Sequence, residues 1–352
     1  MSWPLYALRV LGFALLVAVV AVVPSFISDF RSSELALVGI FFIAILGLNL
    51  LTGYTGVISL GHSAFMAIGA YVTALLMLGR PGLEAAELAP PDWLPVGNGM
   101  KDLYTIPIAA LVAALFGALF GLPALRLSGP YLALATFGIA VATPIIIKKF
   151  DNTTGGTGGI SLFESENLTG AIFNAVHVPG RTLTFNDWIY YLTWTIALAL
   201  LLVAWVLSQS KIGRAFRAVR DNEIAATASG VSLATYKTLA FTLSALYAGV
   251  AGSLLAISAF SVQPGAFPPE RSILLIVGLA VGGMGSLVPL VAGAAFLVYV
   301  PQLAERIWNA PGAPGVIYGA ALIAIMLVLP TGLGGLLRRV LMPLTTRLYA
   351  RS

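Results

Sequence analysis

The sequence predicts an all-α, polytopic membrane protein: a helical bundle of about ten spans. Three observations predict it. Hydrophobic residues make up 59% of the 352 positions and charged residues 9%, against about 25% charged in soluble domains. The apolar residues gather into windows near 20 residues long, about the length that crosses a hydrocarbon core of about 30 Å. Glycine and proline, 37 and 20 in number, sit mostly inside these windows, as membrane helices tolerate and soluble helices seldom do.

The windows fall at 10–28, 35–52, 57–78, 106–126, 130–147, 188–208 and 238–260. The first follows Arg9 and resembles a signal peptide in outline. It is longer than an h-region of about 7–15 residues and no small-x-small cleavage site follows it, so it reads as an uncleaved span. The stretch 272–301 is too long for one crossing. Gly282-Gly283-Met284-Gly285-Ser286 and Pro289 break it into two spans meeting at a tight turn. A last span at 316–335 makes ten.

Charge sets the orientation. With the 211–237 loop and the C-terminus on one side, that side holds 11 of the 19 basic residues. The other side holds 12 of the 14 acidic ones. Lys and Arg mark the cytoplasmic face, so both termini and the 209–236 loop are expected there, and the 148–187 loop outside. Trp188, Tyr190, Tyr191 and Trp194 then read as an aromatic anchor at the outer interface. The net charge of +5 bears on orientation rather than on nucleic acid, which is not expected as a partner.

The spans exclude several functions. None carries Asp, Glu, Lys or Arg in its interior, whereas proton-coupled transporters and voltage sensors need such residues. His62 is the only titratable group within a span, and reads as a hydrogen-bonded packing residue rather than a proton relay. Sodium coupling through unwound backbone carbonyls stays open. With no cysteine in the chain, disulfides, thiol catalysis and Cys-based metal sites are excluded. No GxxxxGK[ST] loop, HExxH or GxSxG motif is present, so no catalytic residue, metal or cofactor is assigned. An energy source must sit on another subunit.

The charged run at 211–230, KIGRAFRAVRDNEIAATASG, stands out between apolar stretches. On a helix, Lys211, Arg214, Arg217 and Arg220 share one face, Ile212, Phe216, Val219 and Ala226 the other, and Gly230 suits the helix end. From periodicity alone such a helix either lies on anionic lipid or docks a cytoplasmic partner.

The stretch GRAFRAVRDNEIAATASGVSLATYK resembles the cytoplasmic coupling segment of ABC importer permeases, most closely the LivM-type permeases for branched-chain amino acids. The matching positions are Gly213, Arg214, Arg217, Ala218, Arg220, Asp221, Glu223, Ala225, Ala226 and Gly230. GLNLLTGYTGVISLGHSAFMAIGAY (47–71), RLSGPYLALATFG (126–138), TTGGTGGI (153–160), GLAVGGMG (278–285) and YGAALIAIMLVLPTGLGG (318–335) extend the resemblance over most of the chain. Two positions depart from the family's usual pattern: Gly158 precedes Gly159-Ile160 where Asn is frequent, and Thr331 stands where Gln is frequent. The resemblance implies a helix fitting a cleft on an ATPase subunit. It further implies a second homologous permease, two cytoplasmic ATP-binding subunits holding ATP and Mg, a periplasmic binding protein, and a place among the lipids of the bacterial inner membrane.

The glycine-rich blocks also have a physical reading. Gly53-Tyr54-Thr55-Gly56, Ser128-Gly129-Pro130 and Gly282–Ser286 interrupt apolar segments, as broken helices do where freed backbone groups face protein or a water-filled path. A half-helix start offers its N–H groups to a carboxylate. Asn49, Thr52, Gly53, Ser59, His62, Ser63 and Thr136 are therefore candidates to line a translocation path. The glycines in 61–70 and 249–252 read instead as small-residue helix packing. The DNTTGGTGGI loop reads as a flexible connector or, as the family implies, a binding-protein contact through Thr154, Gly155, Gly156 and Gly159. Five spans on each side of 148–187 permit an inverted repeat. The sequence thus predicts one permease domain over 1–352, moving branched-chain or related hydrophobic amino acids. Urea or short amides, an ion-coupled secondary transporter and a membrane scaffold gripping lipid are the alternatives.

Overall fold

The computed structural model describes residues 20, 22–25, 28–79, 83–84, 88–90, 99–124, 127, 129–162, 177–178, 181–182, 184–307, 313–328 and 332–336. The expected first span, 10–28, lies almost wholly outside them. Nine apolar helices among the described residues occupy the places of the other nine expected spans. In chain order they begin with α1 (Asp29–Leu48), which runs on as a π-helical turn through Tyr54, then α2 (His62–Met77), α3 (Asp102–Ala124) and α4 (Pro130–Lys149). The one-turn α5 (Asp151–Thr154) precedes α6 (Phe185–Gln209), and the charged helices α7 (Lys211–Asp221) and α8 (Glu223–Ala228) follow it. Then come α9 (Leu233–Ala259), α10 (Pro269–Gly282), α11 (Leu290–Ile307) and α12 (Ala313–Val328). Seven of the apolar segments are long and hydropathic enough to cross a membrane; α2 and α12 are shorter.

The strands are four two-residue pieces. β1 (Ile160–Ser161) pairs antiparallel with β4 (Ser261–Val262), Ile160 opposite Val262. β2 (His177–Val178) pairs antiparallel with β3 (Arg181–Thr182).

α9 is the central helix, packed by α1, α2 and α3, and small residues let them close on it. A Cβ on Gly69 of α2 would collide with the Gly249 carbonyl, and one on Gly252 with the Met66 carbonyl. Two backbones thus touch at this crossing, so these glycines pack helices together, as expected. Side chains then fill the core: Phe42, Phe241 and Tyr247 are at most 2% exposed.

The ends of the bundle sort into two poles. At one, Asp29 at the start of α1 accepts hydrogen bonds from Thr184 Oγ1 and from Asn186 Nδ2 (2.9 Å), and Ser32 Oγ donates to Asp187 Oδ1 at 2.9 Å. The Phe185 and Phe260 rings lie 4.4 Å apart there, and the β1–β4 pair adjoins them. At the other pole the 53–56 turn, the C-terminal end of α7 and the 283–289 turn meet. These are the connections that the charge count placed on a common side.

Two expectations are corrected. Helix α2 starts at His62, not at 57. Gly56 has φ +72° and the chain stays non-helical through Leu60, because outside groups take its polar backbone: Thr52 Oγ1 donates to Val57 O (3.0 Å) and Leu60 N donates to Thr136 Oγ1 (2.9 Å). The proposed aromatic anchor is largely internal. Trp188, Tyr190 and Trp194 are buried, and Trp194 Nε1 and Tyr190 Oη donate to the Leu35 and Val20 carbonyls, both at 3.0 Å. Their polar tips find protein rather than head groups.

Candidate functional site

Helix α7 begins where α6 cannot continue. Ser210 is extended (φ −74°, ψ 178°) and its Oγ accepts from Ile212 N (3.1 Å) and Gly213 N (3.4 Å), capping two free donors of the new helix. The corner is tight. A Cβ on Gly213 would lie 2.5 Å from the Leu207 and Ser208 carbonyl oxygens, so this glycine shapes the corner and is buried. Gly213, Ala215, Phe216 and Val219 face the bundle, with Phe216 edge-on to Tyr236. Lys211, Arg214 and Arg217 face out, as the periodicity predicts.

The expected single helix over 211–230 is two. Asn222 is extended (φ −162°, ψ 111°) and its Oδ1 accepts from Ala225 N at 3.0 Å, so one residue stops α7 and caps α8. Glu223 turns back to Lys237 of α9 at 2.8 Å. Gly230, at φ +83°, ends the unit, with Val231 N returning to Ala226 O. The ten family positions therefore divide. Arg214, Arg217, Asp221, Ala225 and Gly230 are exposed and Ala218 is half-buried, whereas Gly213 and Ala226 are buried, and Arg220 and Glu223 are tied to the bundle. Sequence reasoning missed Ile224, which is 83% exposed at the start of α8. Its signal was an isoleucine lying off the apolar face of an amphipathic run.

Arg220 carries the connection inward. Its Nη1 donates to the Gly53 carbonyl at 2.5 Å. A Cβ on Gly56 or Gly285 would come within 3.2 or 3.3 Å of the same side chain. Asn49, one turn back on the π-helical segment, joins the same point: Nδ2 donates to Ser286 O at 2.6 Å and Oδ1 accepts from Gly285 N at 2.8 Å. One Arg and one Asn thus knit α7, the end of α1 and the α10–α11 turn. The closing glycine block lies against that turn too, since a Cβ on Gly332 would stand 2.7 Å from Gly283 Cα.

All seven candidate path residues are buried. Asn49 and Gly53 belong to the knot just described, and Thr52 and Thr136 hold the non-helical 56–61 stretch. Ser59 Oγ accepts from Gly61 N at 3.4 Å, and His62 Nε2 shares a hydrogen bond with Ser244 Oγ at 3.2 Å. Ser63 N donates to Ser272 Oγ at 2.9 Å, and Ser272 Oγ to Ser63 Oγ at 2.9 Å. The structure brings Ser59, His62, Ser63 and Thr136 together around the start of α2, and sets Asn49, Thr52 and Gly53 apart at the pole.

The DNTTGGTGGI loop is folded tightly. Thr154 Oγ1 donates to Ile147 O (2.7 Å) and Phe150 O (2.8 Å). Gly155, Gly156 and Gly159 all have positive φ, and β1 then docks on β4. Thr157 and Gly158 are exposed at the tip. Among the described residues no group of three or more His, Asp or Glu is placed to hold a metal ion.

The family described as "Branched-chain amino acid transport system / permease component" matches residues 31–329, from the third residue of α1 to one residue past the end of α12. The chain belongs to that family. Within it, similarity is high to the high-affinity branched-chain amino acid permease protein LivM of Salmonella typhimurium, 31% identical over 91% of this chain and 74% of the relative. The probable LivM of Methanocaldococcus jannaschii is 25% identical over 87% and 93%. The companion permease LivH of Escherichia coli is 24% identical over 82% and 89%. No solved structure matches the chain. The names of these relatives describe permease proteins of transport systems.

Proposed function

We propose that this chain is the membrane-spanning permease of an ATP-driven importer of branched-chain amino acids in a bacterial inner membrane. In this reading 1–352 is one domain, both termini and 209–236 face the cytoplasm, and 148–187 faces outward. A periplasmic binding protein delivers substrate at the Gly-rich tip near Thr154, Gly155, Gly156 and Gly159. A second permease completes the path, and similarity to both LivM and LivH supports such a pair. Two ATP-binding subunits supply ATP and Mg and grip α7–α8.

One observation carries the reading. α7–α8 presents Arg214, Arg217, Asp221 and an 83%-exposed Ile224 outward while Arg220 reaches the broken end of α1. An apolar anchor among charges is a docking surface rather than a lipid-lying face, whose apolar side would point away from its charges. A push on α7 would reach Gly53, Asn49 and the 283–286 turn together, because interlocked backbone segments move as a unit. Those segments adjoin Ser59, His62, Ser63 and Thr136, which we assign to the path. α2 and α10 lie one on each side of 148–187 and begin beside each other at Ser63 and Ser272. This supports the inverted repeat.

The test is reconstitution. Liposomes holding this chain alone should show no uptake of L-leucine under a proton or sodium gradient. Adding the second permease, ATPases, binding protein and ATP should start it. Gradient-driven uptake by the chain alone would overturn the assignment.

A further inference from the structure

The helix of the span expected from 272 begins further back and takes in charged residues at its start. Helix α10 starts at Pro269 rather than 272, so Arg271 stands in its first turn, next to the exposed Glu270. Its guanidinium carbon lies 5.7 Å from the centre of the Phe41 ring and 5.9 Å from that of Phe267. Phe41 is the midpoint of the 26-residue helix Asp29–Tyr54, counting 41 − 29 + 1 = 13 residues from its start. The cation therefore sits near the middle of a membrane-crossing helix, about 18 Å below its end.

The side chain is half-buried, so a ligand can reach it. Among the described residues it makes no ion pair and no side-chain hydrogen bond. A cation at this depth is costly and persists where it faces a cavity and acquires a partner. Two ring faces offset part of that cost, but they leave the guanidinium N–H donors without an acceptor among the described residues. The next residue, Ser272, bonds Ser63 at the start of α2. Two helix starts thus converge here and add positive potential to that of the guanidinium.

We propose that Arg271 receives the carboxylate of the transported molecule at mid-depth, with the half-buried Phe41 against its apolar part and the buried Phe267 backing the guanidinium. The assignment rests on the amino-acid importer reading above. A guanidinium fork matches a carboxylate with two parallel hydrogen bonds, and the half-buried Phe41 ring beside it suits an aliphatic side chain. The site lies where α2 and α10 begin beside each other, at Ser63 and Ser272.

The complete complex tests this in liposomes with L-leucine as probe. Arg271→Gln should cut uptake roughly tenfold or more while binding-protein-stimulated ATP hydrolysis continues. Arg271→Lys, which keeps the charge and loses the fork, should fall between. The unsubstituted complex gives an independent reading if a variant does not assemble. Phenylglyoxal modifies accessible guanidinium groups, and mass spectrometry follows the peptide bearing Arg271. Excess L-leucine should protect that peptide, and L-leucinamide, which lacks the carboxylate, should not. Undiminished uptake by Arg271→Gln, or equal modification with and without L-leucine, would overturn the proposal. A wild-type complex that takes up no leucine would instead count against the importer reading.

Discussion

The α7–α8 pair and the broken segments at 49–61 and 283–289 are built on opposite principles. In α7–α8, charge faces outward and each helix closes its own ends through Ser210 and Asn222. The broken segments bury their polar groups and close across the molecule, Asn49 to Gly285 and Ser286, Leu60 to Thr136. One region is locally self-sufficient and offers its surface; the other is held by distant parts of the chain. Arg220 belongs to both, growing from the first and bonding the backbone of the second. A push applied at the exposed helices thus has a defined point of entry into the core.

That contrast can be broken from either side. Asn49→Ala removes two part-buried bonds at once, from Gly285 N–H and to Ser286 C=O, a loss of roughly 0.5–1.5 kcal/mol for each. A lower thermal midpoint of the purified permease in detergent should report it, and an unchanged midpoint would show that the knot does not hold the turn. Arg220→Ala should cost less, about 1 kcal/mol, because the residue is largely exposed. Its larger effect should be on coupling: leucine carried per ATP hydrolysed should fall while hydrolysis persists. Glu223→Gln should be mildest. It weakens an ion pair whose acidic partner is 49% exposed, so the change in stability should stay below about 1 kcal/mol. A collapse of folding in that variant would place Glu223 among the structural groups instead.

How much of this was legible follows from where the partners lie. The basic face of α7 repeats within the run itself, so periodicity found it, and Gly230 announced its own helix end. The break at Asn222 was available in principle, since asparagine is a favoured cap, but the charge pattern continued across it and suggested one helix. The start of α2 was not available. Nothing near residues 57–61 says that Thr136 will accept from Leu60, and an apolar stretch with no such partner would have been helical. The same blindness hid Arg271, which an apolar window starting at 272 left outside the span; only its neighbours Phe41 and Phe267 show its depth. The glycines of 61–70 and 249–252 were legible as packing residues because small-residue crossings are a general solution in lipid.

The absence of cysteine from the chain allows the central claim to be tested directly. Ile224→Cys, made in the otherwise thiol-free permease, places a single reporter on the exposed start of α8. Its labelling by a membrane-impermeant maleimide is measured in inside-out vesicles, with this chain's own peptide followed by mass spectrometry. Rapid labelling of the permease pair alone, and strong protection once the ATP-binding subunits assemble, is the predicted result. Equal labelling with and without those subunits would contradict the role of α7–α8 as the surface through which this permease is driven.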